Sequence, residues 1–207
     1  MIATVVVSYK RPELLQRTLV SYLETVTLPF ELLVVDNGGS EEALTVARDL
    51  GVTVLSFGAN LFPGHSTNTG WDILIKDKRD DQISYLHRSD NDVEYLPGWC
   101  DEVTRRFDEN ANLGQLGLRT LEEEGGHPNV GGNCVVTPDV FAQVRWQDIP
   151  WRRGRATEDL YFTKAVRAAG FDWERVQTPC IVHLGTGTPK TDSYYAETWR
   201  AKGYGGY

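Results

Sequence analysis

ATVVVSYKRPELLQRTLVSYL, residues 3–23, opens with the β-branched run Ala3 to Ser8, the composition of a strand buried on both faces. Pro12 follows, and its fixed φ suits the first turn of a helix. Leu15, Thr18, Leu19, Tyr22 and Val26 then recur at helical spacing, a face that would cover a sheet. The same alternation continues. Glu31 to Val35 reads as a second strand, ending at Asp36-Asn37-Gly38-Gly39. Ser40 is placed to cap the next helix, with Glu41 and Glu42 near its positive end and Gly51 after its close. Val52 to Ser56 forms a third strand and Ile83 to His87 a fourth. Strands separated by helices imply right-handed parallel crossovers, so a Rossmann-like half comes first.

The second half is less regular. Trp99, Val103 and Phe107 predict a helix, followed by short strands near 114–119 and 132–136. Pro138 starts a brief helix after Thr137, and Thr157 caps a stronger one that runs to about Ala169 and stops at Gly170. Strands near 173–176 and 180–183 precede a tail rich in Gly, Tyr and Thr. The expected architecture is one mixed α/β domain over residues 1–207. Residues 1–92 would form its Rossmann-like half, 93–185 its less regular half, and 186–207 a tail that either orders over ligand or is plain terminal disorder.

At 207 residues, with 41% apolar and 24% charged side chains, the chain has the composition of a globular protein with a sizeable core. No run of 18 apolar residues predicts a membrane span. Cys100, Cys134 and Cys180 are odd in number and widely spaced, which suits a reducing, cytoplasmic compartment better than a disulfide framework. The net charge of −8 disfavours nonspecific binding to nucleic acid, and a nucleic-acid acceptor with it.

Ligands of open parallel sheets bind at the carboxyl ends of the strands. Three polar clusters fall at such ends: Ser8-Tyr9-Lys10-Arg11, Asp36-Asn37-Gly38 and Ser89-Asp90-Asn91-Asp92. The first offers backbone groups and a cation, the second an acceptor suited to a base or ribose. The third offers carboxylates one residue apart, one to hold Mg²⁺ or Mn²⁺ and its neighbour to orient a hydroxyl-rich ligand. Turn chemistry is the plain alternative for each cluster taken singly.

TVVVSYKRPELLQRTLVSYL, ELLVVDNGGS, the spaced Asn and Gly residues of NLFPGHSTNTG, SDNDVEYLPGW and TEDLYFTKAVRAAGF occur in that order. The set resembles family 2 glycosyltransferases, nucleotide-sugar enzymes of the GT-A fold, over roughly Ala3 to His183, which implies that residues 1–92 are the nucleotide-sugar-binding half and 93–185 the acceptor and catalytic half. The resemblance implies that Asp36 accepts from the nucleotide base, that Ser8 and Tyr9 line the base and ribose pocket, and that Arg11 lies beside them. It implies that Asp90 and Asn91 contact ribose or donor sugar, and that Asp92, last of the Asp-x-Asp element, binds the metal bridging the two phosphates. Asn60, Gly64 and Asn68 would shape the donor pocket, although Pro63 and His65 depart from the family frame. Asp159 matches the general base of inverting members, with Glu158 in reserve; helix-dipole complementarity is the structural alternative for both. His183, at a strand end, would be a further metal ligand. Trp99 and Trp146 are candidates to stack on a sugar, and Trp146 with Asp148 fall where related enzymes place acceptor contacts. Lys190 or Arg200 of the tail could reach a phosphate.

The expected activity is metal-dependent hexosyl transfer from a nucleoside diphosphate sugar, with UDP the commonest family nucleotide, to a hydroxyl acceptor by inverting displacement. Two other classes compete: a nucleotide-sugar-binding module without turnover, and a nucleotidyltransferase. The second should carry a Gly-rich basic loop after the first strand, where this chain reads Ser8-Tyr9-Lys10-Arg11-Pro12.

Overall fold

Side chains of strand β1, Ile2–Ser8, alternate between two apolar layers, which is why it reads as an unbroken β-branched run. The computed structural model describes residues 1–38, 41–76, 82–121, 130–147 and 158–184. After β1 come α1 (Pro12–Thr25), β2 (Phe30–Asp36), α2 (Glu41–Asp49), β3 (Thr53–Ser56), α3 (Pro63–Lys76), β4 (Tyr85–Asp90) and β5 (Val93–Tyr95). The remaining elements are α4 (Trp99–Glu109), β6 (Leu113–Gly117), β7 (Cys134–Val136), α5 (Pro138–Gln143), α6 (Glu158–Ala168), β8 (Asp172–Arg175) and β9 (Ile181–His183).

One seven-stranded sheet runs in the order β3-β2-β1-β4-β7-β6-β8. It is parallel except at β7, which is antiparallel to both β4 and β6. Leu15, Leu19 and Tyr22 of α1, Ala43 and Ala47 of α2, and Trp99 and Val103 of α4 build the core on one face. Trp71 of α3, Val140 and Phe141 of α5, and Phe162 and Val166 of α6 build it on the other. Trp71 and Trp99 are essentially inaccessible, and truncating either to Ala would cost about 3–5 kcal/mol.

Two departures from expectation matter for the site. First, β4 does not end at His87; it continues through Arg88 and Ser89 to Asp90, carrying three polar side chains into the buried centre of the sheet. They are tolerated because they find partners. His87 Nδ1 lies 3.3 Å from Thr4 Oγ1 and its Nε2 lies 3.4 Å from the Tyr95 hydroxyl, which donates to Ser89 Oγ at 2.6 Å. Burial pushes the His87 imidazole down to about 3, so it is neutral.

Second, β5 was not anticipated at all. It pairs antiparallel with β9, setting Val93 opposite His183. Its other edge is closed by a helix: the Val93 N–H donates to Thr18 Oγ1 at 3.1 Å and the Tyr95 N–H to Ser21 Oγ at 3.0 Å. Thr18 and Ser21 lie one turn apart on α1, while Val93 and Tyr95 are alternate residues of a strand. Their N–H groups therefore point the same way, towards those hydroxyls.

Thr137 caps α5 as expected, accepting from the Val140 N–H at 3.4 Å. Ser40, Thr157 and the tail lie outside the described residues, as do Lys190 and Arg200. No helix among the described residues is long and apolar enough to cross a membrane.

Candidate functional site

Strand register gathers the first group of residues. Ser8 stands opposite Asp36, Val7 opposite Asp90, and Asp36 opposite Ser56, so β1, β2, β3 and β4 end along one line. Asp36 is buried and accepts from Ser56 Oγ at 2.8 Å. Asn37 bridges to the next loop, its N–H donating to the Ser8 carbonyl at 2.7 Å and its Oδ1 accepting from the Leu61 N–H at 2.7 Å. Gly38 has φ +78°, and a Cβ there would stand 2.5 Å from the Ala59 carbonyl carbon; no other residue fits.

The turn after β1 is strained. Lys10 and Arg11 take φ of 58° and 59°, consecutive left-handed residues with no glycine among them. Asn91 steadies this turn, its Nδ2 donating to the Lys10 carbonyl at 3.1 Å and reaching Ser8 Oγ at 3.4 Å. The result aims the Arg11 guanidinium at Asp92, whose Oδ2 it meets at 2.8 Å. The other oxygen, Oδ1, lies 3.6 Å from His183 Nε2. Residues 92 and 183 meet because β5 and β9 pair immediately beside them, and the Leu184 N–H donates to the Asp92 carbonyl at 2.7 Å.

Asp90 is held by Asn133, a residue the sequence did not single out. Its N–H donates to Asn133 Oδ1 at 2.9 Å, and Asn133 Nδ2 donates to Asp90 Oδ2 at 3.1 Å. Gly132 permits this approach, since a Cβ there would fall 2.7 Å from that same oxygen. Burial, reinforced by Asp92 and Glu158 against Arg88 and His183, raises the Asp90 carboxyl above its usual range.

On the far side of β4 sits a second missed residue, Arg88, whose side chain is only 3% exposed. Its Nη1 donates to Asp159 Oδ1 at 3.0 Å and its Nη2 lies 3.7 Å from Asp90 Oδ1. The guanidinium rests on the Trp146 ring at 4.3 Å, and that ring is stacked on Phe162 with centroids 4.0 Å apart. Burial opposes the arginine's charge, but Asp159, Asp90 and Glu158 outweigh it, so it is held more firmly protonated than usual. For Asp159 the balance differs. Burial first, then Glu158 and Asp90, lift its carboxyl to about 6 despite Arg88.

The sequence candidates therefore divide. Ser8, Asp36, Asp90, Asn91, Asp92, Arg11 and His183 share the edge, with Tyr9 in the adjoining turn, and Arg88 ties Asp159 at the head of α6 to them. Glu158 precedes Asp159 on the same helix. Asn60 instead accepts from the Phe62 N–H at 2.9 Å, stabilising a left-handed Phe62. Asn68 uses both ends of its amide on the Trp146 backbone, at 2.9 and 3.1 Å. Trp99 is core, its indole N–H donating to Thr25 Oγ1 at 3.1 Å, and Trp146 has both ring faces covered. Neither presents a face to a sugar, because each is worth more to the interior as packing. Asp148 lies outside the described residues. Among the described residues no three His, Cys, Asp or Glu side chains form a metal-holding group.

Several solved structures share this fold. A mannosyltransferase of Pyrobaculum calidifontis, PcManGT, in complex with GDP-Man and Mn²⁺ superposes with a TM-score of 0.73 at 12% identity, covering 97% of this chain and 60% of that one. TarS (residues 1–349) of S. aureus in complex with UDP-GlcNAc gives 0.69 at 13% identity, covering 98% of this chain and 65% of that one. The glucosyl-3-phosphoglycerate synthase of Mycobacterium tuberculosis with Mn²⁺, UDP-Glc and phosphoglyceric acid gives 0.64 at 13% identity, covering 98% and 78%. Identities this low establish the GT-A fold alone, and the chain spans less than two thirds of the first two proteins. No curated protein matches the chain. The sequence profile of Glycosyl transferase family 2 matches residues 4–164.

Proposed function

The chain belongs to glycosyl transferase family 2, and from that membership we propose that it moves a hexosyl unit from a nucleoside diphosphate sugar to a hydroxyl acceptor, with inversion. The observation that carries the proposal is the meeting of two separate carboxylate sets at one sheet edge, Asp92 beside His183 and Asp159 joined through Arg88 to Asp90.

Asp36 and Ser8 would receive base and ribose, and Asp90, fixed by Asn133, would orient ribose or donor sugar. One carboxylate oxygen and one imidazole nitrogen 3.6 Å apart suit Mn²⁺, and Mg²⁺ less well since it favours all-oxygen sites. Asp92 and His183 would hold the ion, with the donor's phosphate oxygens as further ligands. Bound there, it would offset the negative charge that gathers on the departing diphosphate. Arg11 keeps Asp92 oriented and adds positive charge on the same side.

Asp159 would take the acceptor's proton. As the acceptor oxygen's lone pair forms the new bond to the anomeric carbon, the old carbon–oxygen bond's electron pair leaves with the nucleoside diphosphate. The O–H proton passes to the Asp159 carboxylate. A single displacement needs one base on the face opposite the leaving group, which accounts for one carboxylate standing apart from the Asp90–Asp92 pair.

UDP-glucose, UDP-N-acetylglucosamine and GDP-mannose are the donors to test first. Mn²⁺-dependent release of UDP or GDP from one of them, with an inverted product anomer by NMR, is the expected result. Metal-independent release, or a retained anomer, would overturn those parts of the proposal.

A further inference from the structure

We infer that Arg88 is a positioning residue for the transfer: its guanidinium holds one oxygen of the Asp159 carboxylate and spaces it from Asp90, leaving the second oxygen to accept the acceptor's proton. This rests on the reading of Asp159 as the base.

Stability alone does not account for this arginine. It occupies a central strand, opposite Val5 on one side and Cys134 on the other, in an otherwise apolar layer of Leu86, Phe141, Trp146 and Phe162. A guanidinium carries five N–H donors. Here Nη1 is well used by Asp159, the approach of Nη2 to Asp90 at 3.7 Å is an ion pair too long for a hydrogen bond, and the buried Nε has no partner among the described residues. A buried charge so incompletely satisfied is commonly matched or bettered in stability by an apolar residue of similar volume. What the arginine supplies instead is placement. The Trp146 ring beneath it, itself stacked on Phe162 of α6, fixes the plane of the guanidinium relative to the helix that bears Asp159.

The consequence is a carboxylate engaged on one side. Arg88 meets Oδ1 of Asp159, and among the described residues no hydrogen bond engages Oδ2. A base bonded through both oxygens would have to break a bond to work; one bonded through neither would rotate freely. The groups facing Asp159 are Arg88 and Asp90 from β4, Glu158 from its own helix, and the Cys134 thiol from β7, which burial keeps neutral. Of these Arg88 is the cation. Without it, burial and two neighbouring carboxylates act on Asp159 unopposed, and a larger share of the base would be protonated at neutral pH. Lysine would keep the charge but not the planar fork, so it could not span Asp159 and Asp90 together.

The test uses the full chain as wild type, Arg88→Met, Arg88→Lys and Asp159→Asn, with two measurements. The first is the titration midpoint of the Asp159 side-chain carboxyl by carbon-13 NMR without added metal. The second is kcat and KM for UDP or GDP release from whichever of UDP-glucose, UDP-N-acetylglucosamine or GDP-mannose the wild type turns over. For Arg88→Met the midpoint is expected to rise by a pH unit or more, and kcat at pH 7 to fall at least tenfold while donor KM changes less than threefold. Arg88→Lys should hold the midpoint within half a unit yet still lose about tenfold in kcat. An unchanged midpoint in a folded Met variant overturns the inference. Wild-type kcat in the Lys variant overturns it too, and that variant decides the matter if the Met protein does not fold. Full turnover in Asp159→Asn would instead remove the base reading, a failure visible without touching Arg88.

Discussion

The two sides of β4 place their carboxylates by different means. Towards β1 and β2, backbone register does the work: parallel ladders set Ser8, Asp36 and Asp90 level, and the position of each functional group follows from where its strand stops. Towards α6, no ladder joins Asp159 to the strand, and a side chain, Arg88, spans the gap. Ladder-held positions are supported by every hydrogen bond of the sheet, so they tolerate the loss of any one contact. A position held by one buried ion pair depends on that pair and on the charge state of both partners.

Five experiments would break or sharpen this contrast, ordered by their expected effect on turnover. Asp159→Asn should cut transfer by roughly 10²–10⁴-fold, the range for removing positioned proton transfer, while UDP or GDP with Mn²⁺ still raises the melting temperature. Asp92→Ala should lose transfer as well but, unlike Asp159→Asn, abolish that rise. If Asp92→Ala keeps the rise, or Asp159→Asn loses it, the division of labour across β4 is wrong.

Changing pH probes the same boundary without mutation. As the proposed base, Asp159 would work ionised; its carboxyl is raised to about 6, so kcat/KM should be level above that pH and fall roughly tenfold per unit below it. A profile flat down to pH 5 would show that this carboxylate does not limit the reaction.

Gly132→Ala tests the ladder side. The new methyl would press on the Asp90 carboxylate, and we expect an overpacking cost of about 1–3 kcal/mol together with several-fold weaker donor binding by calorimetry. Undiminished donor affinity would mean that Asp90 has freedom its hydrogen bonds to Asn133 do not suggest. Thr18→Val should affect turnover least. It leaves the Val93 N–H without its acceptor, at about 1–3 kcal/mol, and each kcal/mol lowers the melting temperature of a chain this size by roughly 2–4 °C.

The same contrast explains what could be read from the sequence. Strands buried on both faces announce themselves as β-branched runs, and polar clusters at their ends fall along one sheet edge, so the gathering of Ser8, Asp36, Asp90 and Asp92 was legible. Arg88 was not. Arg88 and Ser89 look like the start of a turn after a strand that ends at His87, because nothing local reveals that Asp159 and Tyr95, from distant segments, will partner them. The pairing of β5 with β9 was hidden for a like reason: Val93-Glu94-Tyr95 directly follows a turn-like polar cluster, and its partner Ile181–His183 lies far along the chain. Asn60 and Asn68 kept the spacing of a binding motif yet spend their amides on the backbone, a distinction only coordinates make. Trp99 and Trp146 show that an aromatic near a site is more often structure than surface.

The hydroxyls of Thr18 and Ser21 bear on one more property, the protein's behaviour towards copies of itself. A two-stranded sheet ordinarily exposes amide groups that a stray strand can zip onto, the first step of many aggregates. Here the outward amides of Val93 and Tyr95 are spent on a helix that no incoming chain can displace without unpacking Leu15 and Leu19 as well. The segment that follows Asp90 and Asp92 is thereby closed to intermolecular pairing along this edge.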